Sequence, residues 1–283
     1  MTETFRYIEL ELQGIYPPGE IRSFTRILCE HICGIPYHRL LLDKDKQLSA
    51  NEKQAIRRIV ERLKQSEPIQ YILGETPFYD LSFTVAPGVL IPRPETEELA
   101  DHIIRTHDRK GHGTRILDIG TGSGCLAVTL AKHLPGAEVW AADISETALE
   151  TARRNAAKNG VSVRFCRADI LQEQSAGLFP GVYDILVSNP PYVTDSEKKD
   201  MEKNVLDYEP SLALFVPDAD PLLFYRAIGR LGKQKIREGG FLYFEINARF
   251  GKETAGLLKK DGYKQVRLLK DLYGKDRMIE ARR

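Results

Sequence analysis

From Arg115 the chain reads Arg-Ile-Leu-Asp-Ile-Gly-Thr-Gly-Ser-Gly-Cys, an apolar run that empties into glycines at 120, 122 and 124. Few segments restrict a fold more. Glycine accepts the positive φ angles of a tight strand-to-helix turn, and its missing Cβ lets a ligand lie against the backbone. Such a turn belongs at the carboxyl end of a strand in an open, mostly parallel sheet, the edge where ligands bind.

The surrounding pattern supplies that sheet. It predicts a strand over Arg115–Ile119, a helix to His133, a strand over Glu138–Ala142, and a helix capped at Ser145 and ended by Gly160. Strands follow at Val161–Cys166 and Tyr183–Val187, then a helix over Pro221–Arg237 and a strand over Phe241–Ile246. Strand–helix alternation means an α/β fold with helices on both faces of a parallel sheet. Tyr263–Leu269 and Arg277–Ala281 are strand-like with a short link, so the end of the chain is expected to pair antiparallel.

The first 75 residues read differently. Ile21, Phe24, Leu28 and Ile32 recur at helical spacing up to Gly34. A second helix starts at Ser49, with Glu52 completing a capping box and Ile56, Ile59, Val60 and Leu63 forming one face. Its other face carries Lys53, Arg57, Arg58, Arg62 and Lys64, either a solvated face or a docking surface for an acidic partner or an RNA-rich assembly. From Pro77 the spacing changes. Leu81, Phe83 and Val85 alternate as a strand, Pro87-Gly88 marks a turn, and Val89–Ile91 is expected to return as the second strand of a hairpin. The predicted organisation is a helical domain over 1–75, a hairpin linker over 76–95 and a catalytic domain over 96–283.

Bulk properties narrow the partners. With 41 Lys and Arg against 40 Asp and Glu, the chain lacks the basic surplus that nonspecific nucleic-acid binding draws on. No apolar run reaches membrane-spanning length, and the first residues carry no targeting pattern, so a soluble cytoplasmic protein is expected. Cys29, Cys33, Cys125 and Cys166 lack metal-ligand spacing and read as small buried hydrophobes, so no metal is expected.

A dinucleotide fingerprint needs glycine at the first, third and sixth positions of the loop; the sixth here is Cys125, and Gly124 stands fifth. The pattern Asp-x-Gly-x-Gly-x-Gly resembles instead the first motif of class I S-adenosylmethionine-dependent methyltransferases. That resemblance implies that Gly120, Thr121, Gly122, Ser123 and Gly124 pass beneath the methionine part of S-adenosylmethionine. It also implies that Asp143, ending the second strand, takes the ribose hydroxyls, and that Asp169 and Ile170 after the third strand hold the adenine. Taken locally, both acids also fit N-cap or turn positions.

The fourth strand leads through Ser188 into Asn189-Pro190-Pro191-Tyr192. Away from such a strand end this would be a proline turn. At the ligand edge of the sheet it suits a particular chemistry. An amide nitrogen is a poor nucleophile because its lone pair is delocalised into the carbonyl. Two acceptors aimed at its N–H bonds, the Asn189 side-chain oxygen and the Pro190 carbonyl, hold it and shift electron density towards an incoming methyl group. Pro190 and Pro191 stiffen the backbone, and Tyr192 offers a face to a planar group. On this reading position 189 needs only an acceptor, so aspartate should serve better there than alanine. The tetrapeptide resembles that of methyltransferases acting on amide or amino nitrogens in proteins, DNA or RNA.

Three further segments resemble the HemK-type release factor glutamine methyltransferases: Pro68 to Gly74, Ile91-Pro92-Arg93-Pro94-Glu95-Thr96-Glu97, and Asp271 to Arg277. The likeness runs over nearly the whole chain. It implies a Rossmann-like, seven-stranded catalytic domain with an antiparallel last strand, behind a small all-α domain and a β-hairpin linker. The implied cofactor is S-adenosylmethionine. The implied partner is a class 1 peptide chain release factor, methylated on the glutamine of its Gly-Gly-Gln loop, with Asn189, Pro190, Pro191 and Tyr192 at the substrate, Asn189, Pro190 and Tyr192 catalytic, and Asn189 also at the cofactor. Glutamine of a ribosomal protein and the amino nitrogen of a nucleobase remain as alternative substrates. A cofactor-binding module without activity is a further alternative, against which the intact Asn189, Pro190 and Tyr192 stand.

Overall fold

The computed structural model describes residues 2–34, 36, 39, 47–107 and 113–283. The chain forms two compact units, one made of residues up to Leu73 together with Lys203–Tyr208, the other of Gly74–Glu202 and Glu209–Arg283.

The first unit is helical: α1 Thr2–Leu12, α2 Pro18–Cys33, α3 Ala50–Leu63 and α4 Ile69–Leu73. The helix signals in the sequence act as such. Gly34 takes φ +64° at the end of α2, and its N–H closes on the Glu30 carbonyl. Ser49 and Glu52 form the reciprocal capping box of α3. Ile21, Phe24 and Leu28 of α2 bury against Ile56, Val60 and Leu63 of α3. Of the basic residues on α3 and at its C-cap, Arg62 pairs with Glu67, and Lys64 with Glu11 and Glu61. The short helix Lys203–Tyr208 belongs to this unit although it lies far along the chain; the Tyr208 hydroxyl donates to the Gln65 carbonyl at 2.9 Å.

The second unit starts with a hairpin, β1 Glu75–Phe78 and β2 Leu81–Thr84, in which Phe78 pairs with Leu81 and Glu75 with Thr84. This corrects the expected hairpin: the partner of the Leu81 strand precedes it, and Val89–Ile91 is not a strand. The Ile91 N–H, which a strand would spend on a ladder, goes to the Glu209 carboxylate.

After α5, Pro94–His107, come β3 Arg115–Ile119, α6 Cys125–His133, β4 Glu138–Asp143, α7 Glu146–Lys158, β5 Val163–Arg167 and β6 Tyr183–Ser188. Short strands β7 Val193–Thr194 and β8 Phe215–Val216 pair with each other outside the main sheet. Then follow α8 Leu223–Lys235, β9 Ile236–Glu245, α9 Gly251–Lys260, β10 Lys264–Lys270 and β11 Asp276–Arg282. The main sheet has seven strands in the order β10-β11-β9-β6-β3-β4-β5. Its ladders are parallel from β9 through β5, and β11, the last strand, runs antiparallel to both neighbours.

Side chains alternate across this sheet as strand geometry requires. Leu117, Ile119, Leu186, Leu242 and Phe244 face the layer holding α8 and α9. Ile116, Ile185, Val187 and Tyr243 face the layer of α5, α6 and α7. Burial on both faces explains why these strands read as continuous apolar runs. From β3 the chain steps outward one way to β4 and β5 and the other way to β6 and β9, so the order reverses between β3 and β6. Crevices open at such reversals, beyond the carboxyl ends of the strands.

Candidate active site

The glycine loop leaves β3 at the reversal point and Asn189 leaves β6 beside it. The two ends are tied together: the buried Ser188 hydroxyl donates to the Ile119 carbonyl at 2.6 Å. Gly120, Gly122 and Gly124 all have positive φ, +72°, +56° and +81°. The N–H groups of Gly120 and Thr121 both reach the Ala142 carbonyl, which fastens the loop to β4. A Cβ on Gly122 would meet nothing within 4 Å, so open space stands over that glycine.

A cavity occupies the crevice. Gly120, Thr121, Gly122 and Ser123 form one wall, Asp143, Asp169 and Ile170 another, and Asn189, Pro190 and Pro191 a third. The mouth is completed by Leu90 to Arg93 and by Leu212 and Ala213. Twelve sequence-derived site residues thus separate into ten that line the cavity and two that do not.

Gly124 is the first exception. It caps α6, and a Cβ there would lie 3.0 Å from the Ala152 Cβ. Its glycine is required for the close approach of α6 to α7, a need that the ligand-loop spacing disguises. Tyr192 is the second. Its ring packs on the core and its hydroxyl donates to Glu245 at 2.9 Å, so its aromatic face is not part of the cavity wall.

Asp143 combines both of its sequence readings. Oδ2 accepts the Gly122 N–H and Oδ1 the Ser145 N–H, each at 2.9 Å. The carboxylate therefore braces the loop and the start of α7, and it keeps lone pairs that can take hydroxyl donors from the cavity. Burial raises its pKa, against the backbone donors that pull it down. Asp169 is a turn residue as well, accepting the Leu171 N–H at 3.0 Å and the Gln172 side-chain amide at 3.1 Å.

Three buried residues that the sequence did not single out hold this geometry. Asn155 pairs with both the N–H and the carbonyl of Thr84 and donates to the Ser123 carbonyl at 2.8 Å, joining the hairpin to the loop. Glu209 accepts the Ile91 N–H and the Arg93 guanidinium, joining two sides of the cavity mouth. Glu245, at the end of β9, accepts the Thr96 hydroxyl at 2.5 Å and the Tyr192 hydroxyl at 2.9 Å. Thr96 in turn receives the Asn189 side-chain N–H at 3.1 Å. The Tyr192 backbone is pinned on both sides, its N–H to Leu214 and its carbonyl to the Asn247 amide. The sequence signal for Glu245 was an acid closing the apolar run Phe-Leu-Tyr-Phe, the same mark that Asp143 leaves on β4.

Beneath the loop, Asp118 is fully buried. Oδ2 takes the Thr121 hydroxyl at 2.6 Å, and Oδ1 has no partner among the described residues. Burial pushes its carboxyl up to about 7. Asp118 lies outside the cavity lining, whereas the carboxylates of Asp143 and Asp169 are part of it and suit a ligand that carries positive charge and hydroxyl donors. S-adenosylmethionine, with a sulfonium, an ammonium and ribose hydroxyls, fits this donor and acceptor set.

The sheet order, the loop after β3, the acid closing β4 and the proline turn after β6 together define a class I S-adenosylmethionine-dependent methyltransferase. A 16S rRNA methyltransferase of T. thermophilus, solved with AdoMet and guanosine, shares the fold with a TM-score of 0.53 at 18% identity, over 74% of this chain and 49% of that one. The chain matches the family models for the Methyltransferase small domain over residues 95–208 and the PrmC N-terminal domain over residues 3–74. It is 48% identical over 283 residues, all of both chains, to a release factor glutamine methyltransferase of Bacteroides thetaiotaomicron. With that of Flavobacterium psychrophilum it shares 48% over 272 residues, 95% of this chain and 94% of the relative. The chain belongs to the release factor glutamine methyltransferase family, and its cofactor is S-adenosylmethionine.

Proposed function

We propose that this enzyme methylates the side-chain amide nitrogen of the glutamine in the Gly-Gly-Gln loop of a class 1 peptide chain release factor. The observation that carries this reading is the Asn189–Pro190 pair at the cavity wall. Asn189 spends its N–H on Thr96, and its Oδ1 has no partner among the described residues. The Pro190 carbonyl likewise accepts no hydrogen bond among them. Two free acceptors on a stiffened backbone match the two N–H bonds of a primary amide.

When bound, S-adenosylmethionine supplies an electrophilic methyl group on a cationic sulfur. The glycine loop would hold the ligand at one wall, and Asp143, Asp169 and Ile170 at another. Asn189 Oδ1 and the Pro190 carbonyl orient the glutamine nitrogen and withdraw its N–H hydrogens towards them. Orientation of this kind is worth roughly 7–11 kcal/mol in well-aligned systems. No strong base is called for, because the alkylated nitrogen is acidic and surrenders its proton readily. Tyr192 serves by fixing Glu245. The helical unit recognises the rest of the protein substrate, with Lys53, Arg57 and Arg58 exposed on α3. A substrate of the translation machinery places the enzyme in the cytoplasm, and no nucleic-acid substrate is needed. Among the described residues no helix is long and apolar enough to cross a membrane.

Incubation of the protein with S-adenosylmethionine and a purified release factor, followed by mass spectrometry of the tryptic peptides, tests this. A gain of one methyl on the Gly-Gly-Gln glutamine is expected. Methylation confined to a ribosomal protein or to RNA would replace the reading.

A further inference from the structure

Asn189 is useful only one way round. Its carboxamide has a donor end and an acceptor end, and the proposed chemistry needs the acceptor end at the substrate. The side chains behind it are arranged to make that choice. Thr96 lies at the start of α5 and is 2% exposed; Glu245 ends β9 and is 1% exposed. The Thr96 hydroxyl donates to Glu245 Oε2 at 2.5 Å, and the Tyr192 hydroxyl donates to Oε1 at 2.9 Å. A hydroxyl has a single proton. Once Thr96 has given it to Glu245, only lone pairs of Oγ1 face Asn189. The Nδ2 of Asn189 meets those lone pairs at 3.1 Å. The reversed carboxamide would set Oδ1 against an oxygen with no proton to offer and leave Nδ2 facing the site.

Resting on the function proposed above, we propose that Thr96 and Glu245 are positioning residues: Glu245 fixes the direction of the Thr96 O–H, and Thr96 thereby fixes the Asn189 carboxamide with Oδ1 towards the glutamine amide. Tyr192 completes the device by holding the second oxygen of Glu245. This gives a chemical reason for an acid buried at the end of β9 and for a threonine, rather than a merely apolar residue, at position 96. Neither residue touches the reacting atoms. Their effect is on the orientation of the residue that does.

The test has one arm that needs no substrate. In the ligand-free protein with 15N-labelled asparagine, the Asn189 side-chain NH2 signals, assigned by their loss in Asn189→Ala, should exchange slowly with solvent. Thr96→Val, nearly isosteric, should abolish that protection, and Thr96→Ser should retain it. In the second arm, kcat at saturating cofactor and release factor should fall about tenfold or more in Thr96→Val, as misplacement of a reacting group does. The Kd for S-adenosylmethionine should stay within about threefold, and Thr96→Ser should recover most of the rate. Glu245→Gln can turn an NH2 towards Thr96, releasing the hydroxyl proton towards Asn189, so it should lose rate with its fold kept. Unchanged protection and kcat in Thr96→Val, or Thr96→Ser as impaired as Thr96→Val, would overturn the assignment. Wild-type kcat in Glu245→Gln would remove Glu245 from it. Absence of any release factor methylation by the wild type would overturn the proposed function instead, with the exchange arm still deciding the orientation.

Discussion

Replacing Asn189 by aspartate separates an acceptor that is merely present from one that is held the right way round. Sequence alone suggests that aspartate should work, since it keeps a side-chain oxygen. The contacts behind Asn189 lead to a different expectation at neutral pH. An introduced carboxylate would face Thr96 Oγ1, whose proton is committed to Glu245, and would lie within the span of two hydrogen bonds, 3.1 Å and 2.5 Å, of the Glu245 carboxylate. At an effective dielectric constant of about 20 that repulsion is roughly 3 kcal/mol, or about two pKa units. The introduced group should therefore titrate near pH ~6 or above rather than near ~4. Burial raises the pKa of Glu245 itself, the Thr96 and Tyr192 hydroxyls and Arg277 pull it down, and Glu95 adds to the negative field there. Once protonated, the new carboxyl regains the asparagine pattern, with its O–H on Thr96 and its carbonyl on the substrate. At pH 8 Asn189→Asp should be as slow as Asn189→Ala, about 10²–10³-fold below wild type. As the pH falls towards ~6 it should gain about tenfold over the alanine variant. Initial rates on one release factor at saturating cofactor, normalised to wild type at each pH, give the comparison. An aspartate variant that outpaces alanine equally at every pH would refute the reasoning and return position 189 to the role of a bare acceptor.

Asp143→Asn should weaken S-adenosylmethionine binding by about 10²-fold, because hydrogen bonds to a charged acceptor carry roughly 1.5–3 kcal/mol each; a calorimetric Kd within threefold of wild type would count against the ribose role. Asp118 reads out in stability. Its folded pKa of about 7 lies above the unfolded value of ~3.9, so the folded chain keeps a proton that the unfolded chain has released. Its contribution is complete below pH ~4 and is lost as the pH rises to ~7. The Tm of ligand-free Asp118→Asn relative to wild type should accordingly climb across that interval and level off above it, and a pH-independent difference would exclude the effect. Reversal of Lys53, Arg57 and Arg58 to glutamate should raise KM for the release factor several-fold and leave the cofactor Kd alone; no change in KM would make that face of α3 a solvated one.

How much of this was legible in the sequence follows from how far apart the interacting residues lie. The loop from Asp118 to Gly124, Asp143 and the turn at Asn189 are local signals, each a polar or glycine-rich break at the end of an apolar strand, and one sheet edge collects them. The hairpin was misplaced because its first strand, Glu75–Phe78, straddles Pro77, where the sequence shows only a change of spacing; proline is tolerated at sheet edges. Val89–Ile91 looked extended and apolar, but its backbone is claimed by Glu209, 118 residues away. Gly124 kept the rhythm of a ligand loop while answering to Ala152. The contact between Thr96 and Glu245 spans 149 residues, and nothing in either neighbourhood names the other. What the sequence did carry was the anomaly itself. An acid in an apolar strand with both faces covered cannot stay there without partners, because burying a lone charge costs several kcal/mol. Asp118, Asp143 and Glu245 are three such acids on three strands of this sheet. One leaves an oxygen unspent under the glycine loop, one braces that loop, and one sets the direction of the proton behind Asn189. In the proposed mechanism these three strand acids mark where binding or orientation is controlled, whereas Glu280, buried on β11, is taken up by His102 and Arg267.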